Sequence, residues 1–267
     1  MKSNNNNIIK VNRSFEKIHN NFLSFSDTTD YKHQATRKGI AFKTIFLLLI
    51  TTLTTVVFFS FFKTSKIFEA LIQYMYYLLL GLFLMTSGVY LMAMAKPQTT
   101  NILACLFSFL EGFIIAIFFY CVDLFFNNLF EIIFIALFGT IAIFCLMAHT
   151  YYKGVLKVTN RFRTIMQYCS IALFLSYLVR FFLMIFITSK FEDILYHSLF
   201  AIPLSLAVLV FLSMYLAIHF DYTEHMISQG MPEKYEWQVS LAFAATLISI
   251  FLRIVSILLR IMGKERK

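Results

Sequence analysis

The chain has 267 residues, of which 60% are hydrophobic and only 14% charged, with 33 Phe and a formal net charge of +9. A soluble domain carries about a quarter charged residues, and the mean hydropathy here is +0.75, so a soluble globular domain is excluded. The basic excess sits in tails and short loops, as expected of a membrane protein's inner side, and does not point to nucleic acid.

Residues 1–38 form a polar, basic tail. Within it Ile8, Val11, Phe15, Ile18, Phe22 and Phe25 recur at alternating spacings of three and four, which sets them on one helical face. Two readings fit: an amphipathic helix lying on the membrane surface, or an unstructured tail with chance apolar residues. Residues 39–267 then form one transmembrane domain. Its apolar runs are Ile40–Phe62, Ile72–Ala95, Ile102–Cys121, Phe126–Ala148, Ile165–Ile187, Ser198–Phe220 and Val239–Met262. Each is long enough to cross about 30 Å of hydrocarbon at 1.5 Å per residue. Backbone in lipid must satisfy its own hydrogen bonds, so runs of this length are helices. The expected fold is all-α and polytopic, with seven membrane helices. Short connections make neighbouring helices antiparallel. Cys105, Cys121, Cys145 and Cys169 lie in or beside the runs without metal-ligand or C-x-x-C spacing and read as small hydrophobes.

Charged groups inside such runs are the first place to look for function. Glu111 lies in the third run, with Ser108 one turn before it. A carboxylate at that depth costs about 2.5–3.5 kcal/mol on insertion scales. It reads either as a cation- or proton-attracting group on an internal path, or as a neutral Glu hydrogen-bonded to a neighbouring helix. Arg253 lies in the last run, in line with Thr246, Ser249, Ser256 and Arg260. It reads as a plug paired with an acid, as a snorkelling cation, or as a moving gate. Asp221 closes the sixth run, with His219 and His225 beside it. Those three could be imagined as metal ligands, but no fourth ligand accompanies them. The expected ion pair is Arg253 with Asp221 or with Glu111. Arg180, in the fifth run, could pair with Asp123, Glu192 or Asp193. Lys153, Lys157, Arg161 and Arg163 read as anchors to anionic headgroups.

Several pieces combine into a family pattern. Lys96-Pro97 precedes the third run, which carries Leu110-Glu111-Gly112. The segment Gly154 to Arg163 precedes the fifth. Phe220-Asp221-Tyr222-Thr223-Glu224 ends the sixth, and Tyr235-Glu236-Trp237 opens the seventh. In this order and placement the chain resembles the Bax inhibitor-1-like membrane proteins, most closely their bacterial YccA-like branch. The resemblance implies a multipass protein of the cell (plasma) membrane whose last helix is central to the bundle. It also implies a pH-sensitive calcium leak, in which a carboxylate ending helix six shares a proton with one in helix seven. Asp221 matches the first position. Aligned on Glu236-Trp237, the second position holds Arg253, so the shared-proton pair does not carry over. The site candidates are therefore Asp221, Glu111 and Arg253, as ion-path or pH-sensing groups. The expected partners are the lipid bilayer, calcium and other membrane proteins. No nucleophile elbow, H-E-x-x-H or glycine-rich phosphate loop is present, so the sequence points to no enzyme, cofactor or resident metal. The alternative to a leak is a non-conducting module that binds and regulates other membrane proteins.

Lys and Arg set the expected topology. The tail holds Lys2, Lys10, Arg13, Lys17, Lys32, Arg37 and Lys38, the loop after the fourth run Lys153, Lys157, Arg161 and Arg163, and the loop after the third run none. This places the N-terminus inside and, after seven crossings, the C-terminus outside. A membrane-impermeant thiol reagent should label a cysteine engineered into the C-terminal tail of intact cells. Protection of that cysteine would mean that the last helix re-enters.

Overall fold

The computed structural model describes residues 34–64, 75–126, 128–155, 158–186 and 201–265. The surface helix considered for the tail lies outside them. Seven α-helices occupy the expected runs: α1 (Arg37–Thr64), α2 (Met75–Ala95), α3 (Thr100–Phe125), α4 (Leu129–Tyr152), α5 (Asn160–Phe186), α6 (Ala201–Ser228) and α7 (Glu236–Glu265). A 3₁₀ turn, Glu233–Tyr235, leads into α7. Among the described residues five helices, α1, α3, α4, α6 and α7, are long and apolar enough to cross a membrane, and Gly81–Ala95 of α2 is a shorter apolar helix. The chain is a polytopic, all-helical membrane protein.

The last helix is central. It packs against α1, α3, α4 and α6, and Gln238 donates from it to the carbonyls of Ala93 and Met94 at the end of α2, at 3.1 and 3.2 Å. Those are last-turn carbonyls without intrahelical donors, so a buried side chain must satisfy them. α5 lies further out and packs on α6. The core divides by level. Leu216, Phe220, Met226, Tyr235 and Phe243 pack near the α6–α7 turn. Leu47, Ala104, Phe107, Leu241 and Ala244 join α1, α3 and α7. Ile115, Ile132, Ile248 and Val255 fill the far half. Large apolar side chains such as Phe42, Leu53, Phe130 and Ile171 point outward, as lipid-facing positions require.

Two boundaries differ from the apolar runs. α6 does not stop near Asp221 but continues to Ser228, so Asp221, Glu224 and His225 lie on one helical face. α1 begins at Arg37, and the residues before it are docked. Ala35 N–H donates to Met231 C=O at 2.9 Å, and Gln34 bridges to Pro232. Residues 34–36 of the polar tail therefore belong to the folded domain.

The tightest helix contact is between α1 and α3. Thr55 Oγ1 donates to Gly112 C=O at 3.1 Å, and a Cβ added at Gly112 would lie 2.5 Å from the Thr51 carbonyl oxygen. Small residues allow such backbone approach where lipid gives no hydrophobic drive. Gly88 of α2 has open space where a Cβ would go. Gly112→Ala should therefore lower the thermal midpoint in detergent. Gly88→Ala should hold or raise it, since Ala is favoured over Gly in a helix by about 1 kcal/mol. Equal effects of the two would remove the close approach as the reason for Gly112.

Candidate functional site

Ion pairs cluster at the end of the bundle where α1, α3, α5 and α7 begin and α2, α4 and α6 finish. Two ionic clusters form there. The first joins α1 to α7. Glu236 opens α7 and is 2% exposed, yet its carboxylate is fully engaged. Oε1 accepts from Thr36 N–H at 2.6 Å and from Thr36 Oγ1 at 3.3 Å, while Oε2 accepts from Lys43 Nζ at 2.7 Å. Lys43 reaches Glu233 as well, at 3.0 Å, and its ammonium stands 5.3 Å from the Trp237 ring centroid. Gly39 creates the room, because a Cβ there would collide with the Glu236 carboxylate. One turn further along α7, Ser240 Oγ donates to Ile40 C=O at 2.9 Å. A carboxylate at the first position of a helix also meets the positive end of its dipole.

The second cluster joins α6 to α4, α5 and α1. Asp221 pairs through Oδ2 with Arg163 of α5, and Tyr151 of α4 donates to its Oδ1 at 3.5 Å. One turn on, Glu224 Oε2 pairs with Arg37 of α1 at 2.5 Å, and the Arg37 guanidinium stands 6.0 Å from the Tyr152 ring centroid. Glu224 Oε1 is buried and has no hydrogen-bond partner among the described residues. Between these groups lies a cleft of about 420 Å³, lined by Arg37, Tyr151, Tyr152, Gly154, Asp221 and Glu224.

The three sequence candidates do not converge. Asp221 takes Arg163, rather than Arg253, as its ion-pair partner, so the expected Asp221–Arg253 pair is not formed. Helix register is the reason. His219 of α6 and Thr246 of α7 meet at 2.9 Å. Asp221 lies two residues from that level toward the ionic end and Arg253 seven residues away from it, about 13 Å apart along the axis at 1.5 Å per residue. Glu111 lies mid-way along α3, half-buried, and among the described residues no hydrogen bond or ion pair reaches its carboxylate, so the expected pair with Arg253 is not formed either. One turn before it, Ser108 is fully buried and its Oγ has no partner among the described residues. Most buried hydroxyls in the spans, such as Thr44, Thr51 and Thr140, instead donate to the carbonyl four residues earlier. The α7 stripe is largely self-satisfied, since Thr246, Ser249 and Ser256 bond to their own helix. His219 faces α7 and His225 meets Gln229 at 2.9 Å, so the two histidines and Asp221 do not share a site. Asp123 pairs with Lys63 at 2.9 Å at the far end. Glu192 and Asp193 lie outside the described residues, as does the side chain of Arg180.

Sequence reasoning passed over Lys43, Thr36 and Glu224, and took Glu236 only as the opening of a helix. A signal for Lys43 existed: a lone cation inside an apolar run needs an acid as much as Arg253 does.

Among the described residues six helices around a central last one, tied at one end by ion pairs, define a polytopic membrane bundle rather than a soluble helical array. The family model described as Bax inhibitor 1 like matches residues 13–263, and the chain belongs to that family. No curated protein and no solved structure matches the chain.

Removing one partner of a buried ion pair costs about 3–5 kcal/mol, because the other charge stays buried. Glu236→Ala and Lys43→Met should each lower the thermal midpoint strongly, and the double variant should be less than additive. Additive losses would show that the two groups act independently.

Proposed function

We propose that this protein conducts a cation across the membrane or regulates such conduction, with calcium as the ion by analogy with the family. The observation that carries this reading is Glu111. It is a carboxylate in the middle of a membrane helix with no hydrogen bond or ion pair among the described residues, beside a buried Ser108 hydroxyl that also lacks a partner. Structural carboxylates at such depth are normally neutralised by a partner, whereas those on ion paths remain available. In this reading Glu111 attracts the ion, and the Asp221–Arg163 pair closes the ionic end. Motif order supports placement in the YccA-like branch of the cell membrane, and loop charge supports a cytoplasmic N-terminus, which sets Asp221 on the inner side.

In this reading the shared-proton latch expected for relatives gives way to an acid–base pair, Asp221 with Arg163.

The second reading is a non-conducting module that regulates other membrane proteins. It is favoured by the dense pairing around Glu236, Asp221 and Glu224. Purified protein in liposomes loaded with a calcium dye separates the two. The wild type should leak above empty liposomes. Arg163→Ala should raise the leak several-fold at neutral pH, and Glu111→Gln should reduce it toward background. No flux at any pH from acid to neutral would favour the module.

A further inference from the structure

The cleft at the ionic end has chemistry that neither the leak nor the bundle uses. Its two facing charges, Arg37 and Glu224, are each half-spent. Arg37 gives one N–H to Glu224 Oε2 and has further donors in its guanidinium, on a side chain 63% exposed. Glu224 keeps a buried oxygen, Oε1, with no donor among the described residues. Both line the same cleft, with the Tyr151 and Tyr152 rings beside them. Asp221 also lines the cleft but is occupied with Arg163. The cleft thus offers an acceptor that needs an N–H and, next to it, a cation that can take an anionic oxygen. Its volume of about 420 Å³ lies within the range of small-ligand sites.

Position narrows the ligand further. The cleft opens at the helix ends, beside the exposed Tyr152 and Val155, and the apolar flanks of the bundle begin just below. Tyrosines at this level belong to the membrane–water interface. We propose that the cleft binds a phosphoethanolamine group, the headgroup chemistry of a membrane phospholipid. The ammonium donates to Glu224 Oε1 and packs against the tyrosine rings, while the phosphate takes the remaining donors of Arg37. A quaternary ammonium has no N–H to give Oε1, so phosphocholine is the discriminating control. Ring contacts alone would hold either cation.

The test uses the full chain in nanodiscs with matched acyl chains, with phosphatidylcholine alone or with added phosphatidylethanolamine, and reads the thermal midpoint. Saturating occupancy should raise the wild-type midpoint by about 5 °C with phosphatidylethanolamine. Val158 also lines the cleft; Val158→Trp fills it while leaving its charges intact, and should abolish that rise. Soluble phosphoethanolamine and phosphocholine, added in detergent, distinguish the source. A rise with soluble phosphoethanolamine assigns the headgroup alone, and a rise with the lipid only assigns the membrane-anchored form. The proposal is overturned if neither raises the midpoint, if choline forms do as well, or if the rise persists in Val158→Trp, which would mark a bulk bilayer effect. Calcium flux is not part of the readout, so failure here leaves the conduction reading standing.

Discussion

The ion pair between Lys43 and Glu236 is the constraint from which the rest of the bundle takes its register. Neither side chain has water to fall back on, so the pair is stable only if every remaining lone pair and donor is satisfied. Thr36 supplies two donors, Glu233 a second acceptor, Trp237 a ring face and Gly39 the space. Each of these fixes the depth of α7 relative to α1. With α7 placed, Gln238 meets the end of α2 and Ser240 meets α1, and His219 falls level with Thr246.

Much of this architecture could be read from hydropathy. Seven apolar runs became seven helices because backbone in hydrocarbon has no other way to satisfy itself. The charged features were less legible, for identifiable reasons. Lys43 sits one turn inside the first run, where counting cations in tails and loops passes over it. Glu236 shows itself as a helix start, but its burial depends on Gly39, far away in sequence. Arg163 has the look of a headgroup anchor, and only the approach of α5 to α6 turns it toward Asp221. Glu111 and Asp221 were visible because acids in or beside long apolar runs are conspicuous. Their separation was not, because helix register is set by contacts such as His219–Thr246 that a sequence pattern does not encode.

Polarity is distributed unevenly along the axis. The ionic end carries Glu236, Lys43, Asp221, Arg163, Glu224 and Arg37 in paired form, while the far half is dominated by Ile, Phe and Val contacts. The chain thus concentrates its electrostatic specificity where helices meet the interface, at depths where an arginine or carboxylate costs least. Glu111 and Arg253 are the charged groups that stand mid-helix, away from that end.

The Gly112–Thr51 approach has a mechanical consequence. Two helices whose backbones touch, and which share the Thr55–Gly112 hydrogen bond, cannot slide or tilt separately without breaking that contact. α1 and α3 therefore behave as a stator, with α7 clamped to it through Glu236. α6 joins it as well, packed along α7 and level with it at His219–Thr246, which leaves α5, held to α6 by few contacts and by the Arg163–Asp221 pair, as the least constrained of the described helices. Among the described helices α5 can therefore shift with the least disturbance of that stator, at the cost of the Arg163–Asp221 pair.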